Sequence, residues 1–164
     1  MARSDIVAWA QVVATVAMVM TFFIYWRQLV ALRAQVSAAR EASRTQNLIA
    51  LIDFIQRPTH VESRRILINL DGRPLSDWTY DERRCAERAC SAWDAVAILL
   101  RHDSMQEAAQ IVLSTWKTSI APCYTVASKE LLGTLRTMRG ADFWDDFEWL
   151  AQKALCEIND NGSV

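Results

Sequence analysis

Hydrophobic and polar positions follow two different rules along this chain. From Ile6 to Trp26 it reads "IVAWAQVVATVAMVMTFFIYW", with no ionised residue and only Gln11, Thr15 and Thr21 as polar side chains. As a helix rising 1.5 Å per residue, such a run covers about 30 Å, the thickness of a bilayer hydrocarbon core. Trp9 near one end and Tyr25-Trp26 at the other suit the aromatic belts of a membrane interface. A core helix that is apolar on every face fits poorly in a chain of 164 residues. A cleaved signal peptide fits poorly too, because the run is long and no small-x-small site follows it directly. The pattern predicts one transmembrane helix.

After Trp26 the apolar positions thin to one face. "RQLVALRAQVSAAREASRTQNLIALIDFIQR" contains no Gly or Pro before Pro58, so one helix is expected from about Ile6 to Arg57. Leu29, Leu32, Val36, Ala39 and Ser43 alternate by three and four, a short heptad-like seam that fades at Gln46. A broader apolar face with Leu48, Leu51, Ile52 and Ile55 takes over. The seam suits either a self-pairing stalk or a solvated linker helix, and its two heptads do not choose between them. The expected division is an anchor over 1–27, a juxtamembrane stalk helix over 28–57 and a helical bundle over 58–164. Within the second of these, 47–57 already carries an apolar face of the body.

Beyond Pro58 the helix punctuation repeats. Thr59 and Glu62, Thr79 and Glu82, and Ser104 and Glu107 each have the spacing of a capping box, in which a hydroxyl and a carboxylate satisfy N–H groups at a helix start. Asp142 is expected to open a further helix. Helices are therefore predicted near 59–70, 80–101, 105–120, 122–138 and 142–158, with Asp71-Gly72 and Arg139-Gly140 as stops. Ala86, Ala89, Trp93, Val96, Ala97 and Leu100 form a core stripe on the second. No strand-like alternation is present, and the fold class is all-α: an antiparallel helical bundle or a related arrangement.

Composition supports helix, since apolar residues make up 52% of the chain while Gly numbers 4 and Pro 3. The net charge of −1 conceals an asymmetry. Residues 27–57 carry five arginines against Glu41 and Asp53, whereas the chain from Pro58 onward has twelve basic and sixteen acidic side chains. An acidic body argues against nucleic acid as a partner. Arg27, Arg33, Arg40 and Arg44 follow the span within about 20 residues, against Arg3 and the terminal amine before it. The N-terminus is thus expected outside and the body in the cytoplasm. There Cys85, Cys90, Cys123 and Cys156 are expected as thiols packed in helices; their spacing matches no zinc or redox motif.

Candidate chemistry is sparse. "RHDS" at 101–104 holds the letters of a hydrolase triad, but adjacent residues cannot converge as one, and Ser104 is needed as a cap. His60 and His102 form no helical metal pair, and no phosphate loop or nucleophile elbow occurs, so no cofactor is expected. Arg83, Arg84 and Glu87 suit a solvated, ion-paired face, and Asp94 lies at the edge of the core stripe. "DFWDDFEWL" at 142–150 is the richest stretch. On a helical wheel Phe143, Phe147, Leu150, Ala151, Ala154 and Ile158 share an arc, with Trp144 and Leu155 at its edge. Asp142, Asp145 and Asp146 fall in the cap and first turn, where the helix dipole favours them. Glu148 lies close to the buried arc and requires a cation, for which Arg136 and Arg139 are the candidates. Trp149 points away from the arc beside Asp145, the disposition of a docking residue. In the span, Ala10, Ala14 and Ala17 supply small residues for a partner helix.

"IYWRQLVALRAQ", "WDAVAILLRHD", "LSTWKTSIAPCY" and "FWDDFEWLAQKA" resemble, in this order, an uncharacterised class of small bacterial membrane proteins. These have one N-terminal span, a basic helix after it and a cytoplasmic all-helical domain. The resemblance implies architecture and location and brings no catalytic residue; Trp116, Arg136, Phe147 and Glu148 are patterned positions in it. The expected function is that of a non-enzymatic, membrane-tethered interaction protein, an accessory subunit or scaffold whose partners are the lipid bilayer and a membrane protein or a second copy. A dimeric signalling element that couples span and stalk to the body is the alternative. A small enzyme using Glu148, with Asp94 as a second carboxylate and Arg136 orienting substrate, is the third.

Overall fold

A computed structural model describes residues 3–102 and 106–161 of the chain, which among them form helices and turns and no strand. The helices are α1 (Arg3–Gln56), α2 (Pro58–Asn69), α3 (Tyr80–His102), α4 (Gln106–Glu130), α5 (Leu132–Arg139) and α6 (Asp145–Asn161), with one 3₁₀ turn at Leu75–Asp77. The chain divides into two compact units, Met1–Gln46 and Asn47–Val164.

In the first unit every described side chain, from Trp9 to Gln46, is exposed. The helix therefore carries its large apolar groups with nothing of its own unit packed on them. Thr15 and Thr21 donate their hydroxyls to the carbonyls of Gln11 and Ala17, at 2.9 and 2.8 Å. Folding a hydroxyl back onto the preceding turn satisfies it without water.

The second unit begins inside α1, whose Leu51 and Ile55 are buried in the core. The body thus starts at Asn47, so 47–56 belongs with it rather than with the stalk expected over 28–57. Pro58 explains why α1 stops. Its ring forces the residue before it out of the helical region, and Arg57 sits at φ −54°, ψ 133°. Pro58 then occupies the first position of α2, where its missing N–H costs nothing.

The capping boxes had different fates. Thr79 and Glu82 form theirs: Thr79 N donates to Glu82 Oε2 at 2.7 Å and Glu82 N to Thr79 Oγ1 at 3.2 Å. The Thr59–Glu62 box is not made, because Pro58 starts α2 one residue earlier and leaves Thr59 inside the helix. Glu62 faces Arg65 at 3.9 Å in solvent instead. Ser104, of the third box, lies outside the described residues.

Two predicted boundaries moved. The expected break at 121–122 is absent, since α4 runs through Pro122 to Glu130. Ile120, Ala121, Cys123, Val126 and Ala127 are all buried there, and this packing outweighs the roughly 3 kcal/mol of an internal proline. The interruption comes at Leu131, where φ reaches −107° although its N–H still donates to Ala127 O at 2.9 Å. The last helix starts at Asp145 rather than Asp142. Gly140 (φ 114°) ends α5, and Trp144 at φ 63° turns the chain into α6 while its ring stays buried.

In the body α6 packs against α3 and α4, and α2 against α3 and α4. Trp93, Phe147, Leu67, Ile120 and Leu150 lie at the centre of one continuous core.

Candidate functional site

Starting α6 at Asp145 takes the first three residues of "DFWDDFEWL" out of the helix. Phe143 and Trp144 fall in the turn before the helix, their rings in tilted contact with centroids 4.6 Å apart. Phe147, Leu150, Ala151 and Ala154 keep the expected inner face, whereas Ile158 is exposed.

Arg136, from the last turn of α5, holds this turn together. Its Nε donates to Phe143 O at 3.2 Å, and its Nη2 donates to Asp145 Oδ1 at 2.8 Å and to Glu148 Oε2 at 2.7 Å. Glu148 is held below the usual carboxylate range, first by the Arg136 hydrogen bond and also by Tyr124, against the opposing effect of burial. Tyr124 is pushed up to about 12 by burial and by giving its hydroxyl to Glu148. Arg136 is raised by the same bond to Glu148. Of the two arginines expected near Glu148, only Arg136 reaches it. Arg139 instead donates to Glu87 at 3.3 Å and covers the Phe143 ring at 5.0 Å. Glu87 therefore serves α5 rather than Arg83 or Arg84. Arg83 donates to Leu75 O at 2.8 Å, and Arg84 lies over Tyr80.

Asp94 is not paired with Glu148. Its Oδ1 accepts the backbone N–H of Phe147 at 3.0 Å. The residue before α6 is Trp144, which has no side-chain acceptor to offer the first turn, so α3 supplies the cap from across the bundle. Burial raises the Asp94 pKa, the Phe147 bond opposes this, and the nearby Asp146 and Asp145 raise it further. Each carboxylate expected to act in acid–base chemistry is thus committed to a separate structural partner.

Trp149 does not stand outside the body. It is half-buried against the core, and the Arg101 guanidinium lies 6.0 Å over its ring while donating to Asp146 at 2.8 Å. Helix α6 is flanked by both α3 and α4, so the side opposite its main apolar arc is also partly covered. Asp145 is exposed but ion-paired to Arg136. Ala10, Ala14 and Ala17 are exposed on α1.

The sequence reading missed Arg64. Only 8% exposed, it donates from Nη1 to Ile55 O at 2.8 Å and lies 5.0 Å over the Trp93 ring. It satisfies one of the carbonyls left open at the end of α1. Burial lowers its pKa. Its signal was the spacing of Arg64 and Leu67 on one face of α2, which points a cation inward. Beside it, burial pushes the Cys123 thiol up to about 12, against the Trp93 indole, Arg64 and Ser119. Ser63 Oγ is buried without a formed hydrogen bond among the described residues. All four cysteines are free thiols; Cys90 and Cys123 are buried as expected of packing residues, while Cys156 is exposed.

The concavities among the described residues include two that are open rather than enclosed. One, of about 460 Å³, runs between α2, α4 and α6 and is lined by Ile68, Thr118, Pro122, Val126, Leu155 and Ile158. The other follows one face of α1 past Leu29, Leu32, Val36 and Arg40. It is space between the side chains of a single helix, so it is a seam and not a ligand cavity. Among the described residues no three His, Cys, Asp or Glu side chains gather as a metal site would require.

Comparison with protein-family models, with curated proteins and with solved structures finds no match for this chain.

Proposed function

We propose that this protein is a membrane-tethered, non-enzymatic interaction protein, an accessory subunit or scaffold that holds a partner at a bacterial inner membrane. The first part of α1 is the anchor, the N-terminus lies outside, and the acidic helical body lies in the cytoplasm. One observation carries the reading. The helix is long and apolar enough to cross a bilayer, and Trp9, Val19 and Phe22 are 66%, 62% and 69% exposed on it. A surface of this kind demands an apolar solvent, and lipid answers that demand.

A scaffold role is favoured over catalysis by the structural bonds these carboxylates make: Glu148 is held by Arg136, and Asp94 accepts the Phe147 N–H at the start of α6. The anchor is tested by alkaline extraction of membranes and by reporter fusions to either end. The chain is expected in the pellet, with a cytoplasmic reporter active at the C-terminus. Release into the supernatant overturns the anchor. The scaffold role is tested by mild-detergent pull-down of the full chain, and recovery of the isolated monomer alone overturns it.

The dimeric signalling reading is favoured by one feature, the passage of α1 from Arg3 to Gln56 without Pro or Gly. A continuous helix can carry rotation or association from span to body. A strictly monomeric chain in the bilayer removes it.

A further inference from the structure

We propose that the face of α1 formed by Leu29, Leu32, Val36, Ala39 and Ser43 docks on the same face of a second copy of this chain, in parallel and in register. The inference rests on the membrane reading for its orientation, because copies that share one topology present their juxtamembrane helices side by side and pointing the same way.

The seam lies beyond Trp26, where hydrocarbon no longer covers the helix, yet Leu29, Leu32 and Val36 remain 46%, 58% and 50% exposed. From Leu29 to Ser43 it extends about 21 Å along the helix. The open groove along it, bordered by Leu29, Leu32, Arg33, Val36 and Arg40, is the kind of space that the side chains of a facing helix fill.

The flanks choose the occupant. With Leu29 and Val36 at position a and Leu32 and Ala39 at d, the e positions are Arg33 and Arg40 and the g positions are Gln28 and Gln35. In a parallel pair each g faces the e of the partner's next heptad. Gln28 then meets Arg33 of the partner subunit and Gln35 meets Arg40 of the partner subunit, so that an amide carbonyl accepts from a guanidinium. In an antiparallel pair e faces e, and the arginines of the two copies oppose each other. The flanks thus pair a hydrogen-bond donor with an acceptor in the direction that a shared membrane imposes, and set like charges against each other in the other direction. A β-branched residue at a with Leu at d, as at Val36 and Leu32, favours two strands over three or four. Two heptads are too short to hold a coiled coil in water. Confinement of both copies to one membrane supplies the effective concentration that the seam lacks.

The experiment is oxidative cross-linking in native membranes with copper phenanthroline, in a chain carrying Cys85→Ser and Cys156→Ser. Leu32→Cys and Val36→Cys are compared with Ala34→Cys and Glu41→Cys, which fall on the opposite side. Disulfide-linked dimer is expected to be several-fold more abundant at 32 and 36 than at 34 and 41. Adding Val36→Glu to the Leu32→Cys chain is expected to abolish that dimer while membrane retention stays unchanged. Equal cross-linking at all four positions, no cross-linking at any, or adducts only to a polypeptide of different mass overturns the seam. Alkaline extraction of the same membranes reads the anchor separately, so loss of the anchor and loss of the seam give different results.

Discussion

Arg64 offers the sharpest test of how the body is built, because it is a buried cation whose partners are a carbonyl and an indole. Three substitutions separate size, planarity and charge. Arg64→Ala deletes the aliphatic stem, about 0.8 kcal/mol per buried methylene, and leaves the Ile55 carbonyl without its donor, about 1–3 kcal/mol. Relief of the guanidinium's desolvation offsets part of this, so a net loss of about 2 kcal/mol is expected. Arg64→Met keeps most of the stem and sheds the buried charge; its expected loss is at most about 1 kcal/mol, by the same desolvation argument. Arg64→Lys keeps the charge, hydrates it more strongly and cannot lie flat on Trp93, so it is expected to lose about 2–3 kcal/mol. The order of stability is then wild type, Met, Ala, Lys, with Ala and Lys close together. Thermal unfolding of the full chain in detergent, followed by near-UV circular dichroism of its tryptophans, reads this order. For a body of this size 2 kcal/mol corresponds to about 6–10 °C. A lysine variant as stable as wild type, or a methionine variant as damaged as alanine, refutes the reasoning, because either result makes the charge itself the stabilising element.

Three further outcomes follow from the same geometry. Asp94→Ala removes the cap on α6 and is expected to cost about 1 kcal/mol in urea unfolding, whereas Asp94→Asn keeps a carbonyl acceptor and costs less. Pro122→Ala restores an N–H inside α4 and is expected to raise stability by about 1–2 kcal/mol, the helical gain less the entropy that proline removed from the unfolded chain; an unchanged or lowered midpoint contradicts it. On acidification, Glu148 and Glu82 have folded values below their ordinary 4.5, with Glu82 at about 2. Their stabilisation is complete above the ordinary value and is lost as pH falls through the folded ones, so the midpoint is expected to drop from about pH 4.5 downward. Asp94, raised by burial, works in the opposite sense. Glu148→Gln should flatten part of the acid decline, and an unaltered profile counts against the Arg136 bracket.

Much of the architecture was legible because it depends on local rules. The long helix before Pro58, the Thr79–Glu82 box and the stripe through Trp93 each follow from spacing along one segment. Apart from the Thr59–Glu62 box, which the adjacent Pro58 displaced, the misreadings came from contacts between segments. Pro122 looked like a boundary, and burial of its neighbours carried the helix through it. Asp142 looked like a cap, but the buried Trp144 ring takes a left-handed turn there and Asp94 caps from α3. Trp149 looked outward on an isolated wheel, and α3 and α4 cover both flanks of its helix. Glu148's need for a cation was visible, as was Arg136; Tyr124, which completes that group, was not, since it stands out only once α4 and α6 meet, and Arg64 left only its spacing from Leu67 as a sign.

The cap on α6 has a consequence for the order in which the body assembles. Asp94 and Phe147 are separated by 53 positions, so the amide at the start of α6 is answered only after α3 has formed and come alongside. A short helix whose first turn has no local cap nucleates poorly on its own. Helix α6 is therefore expected to join the bundle late, condensing on an α3 surface that is already in place. Slowed folding in Asp94→Ala, with unfolding unchanged, is the signature of a cap that forms before the rate-limiting step; faster unfolding at an unchanged folding rate is the signature of one that closes afterwards, and a late α6 requires the latter.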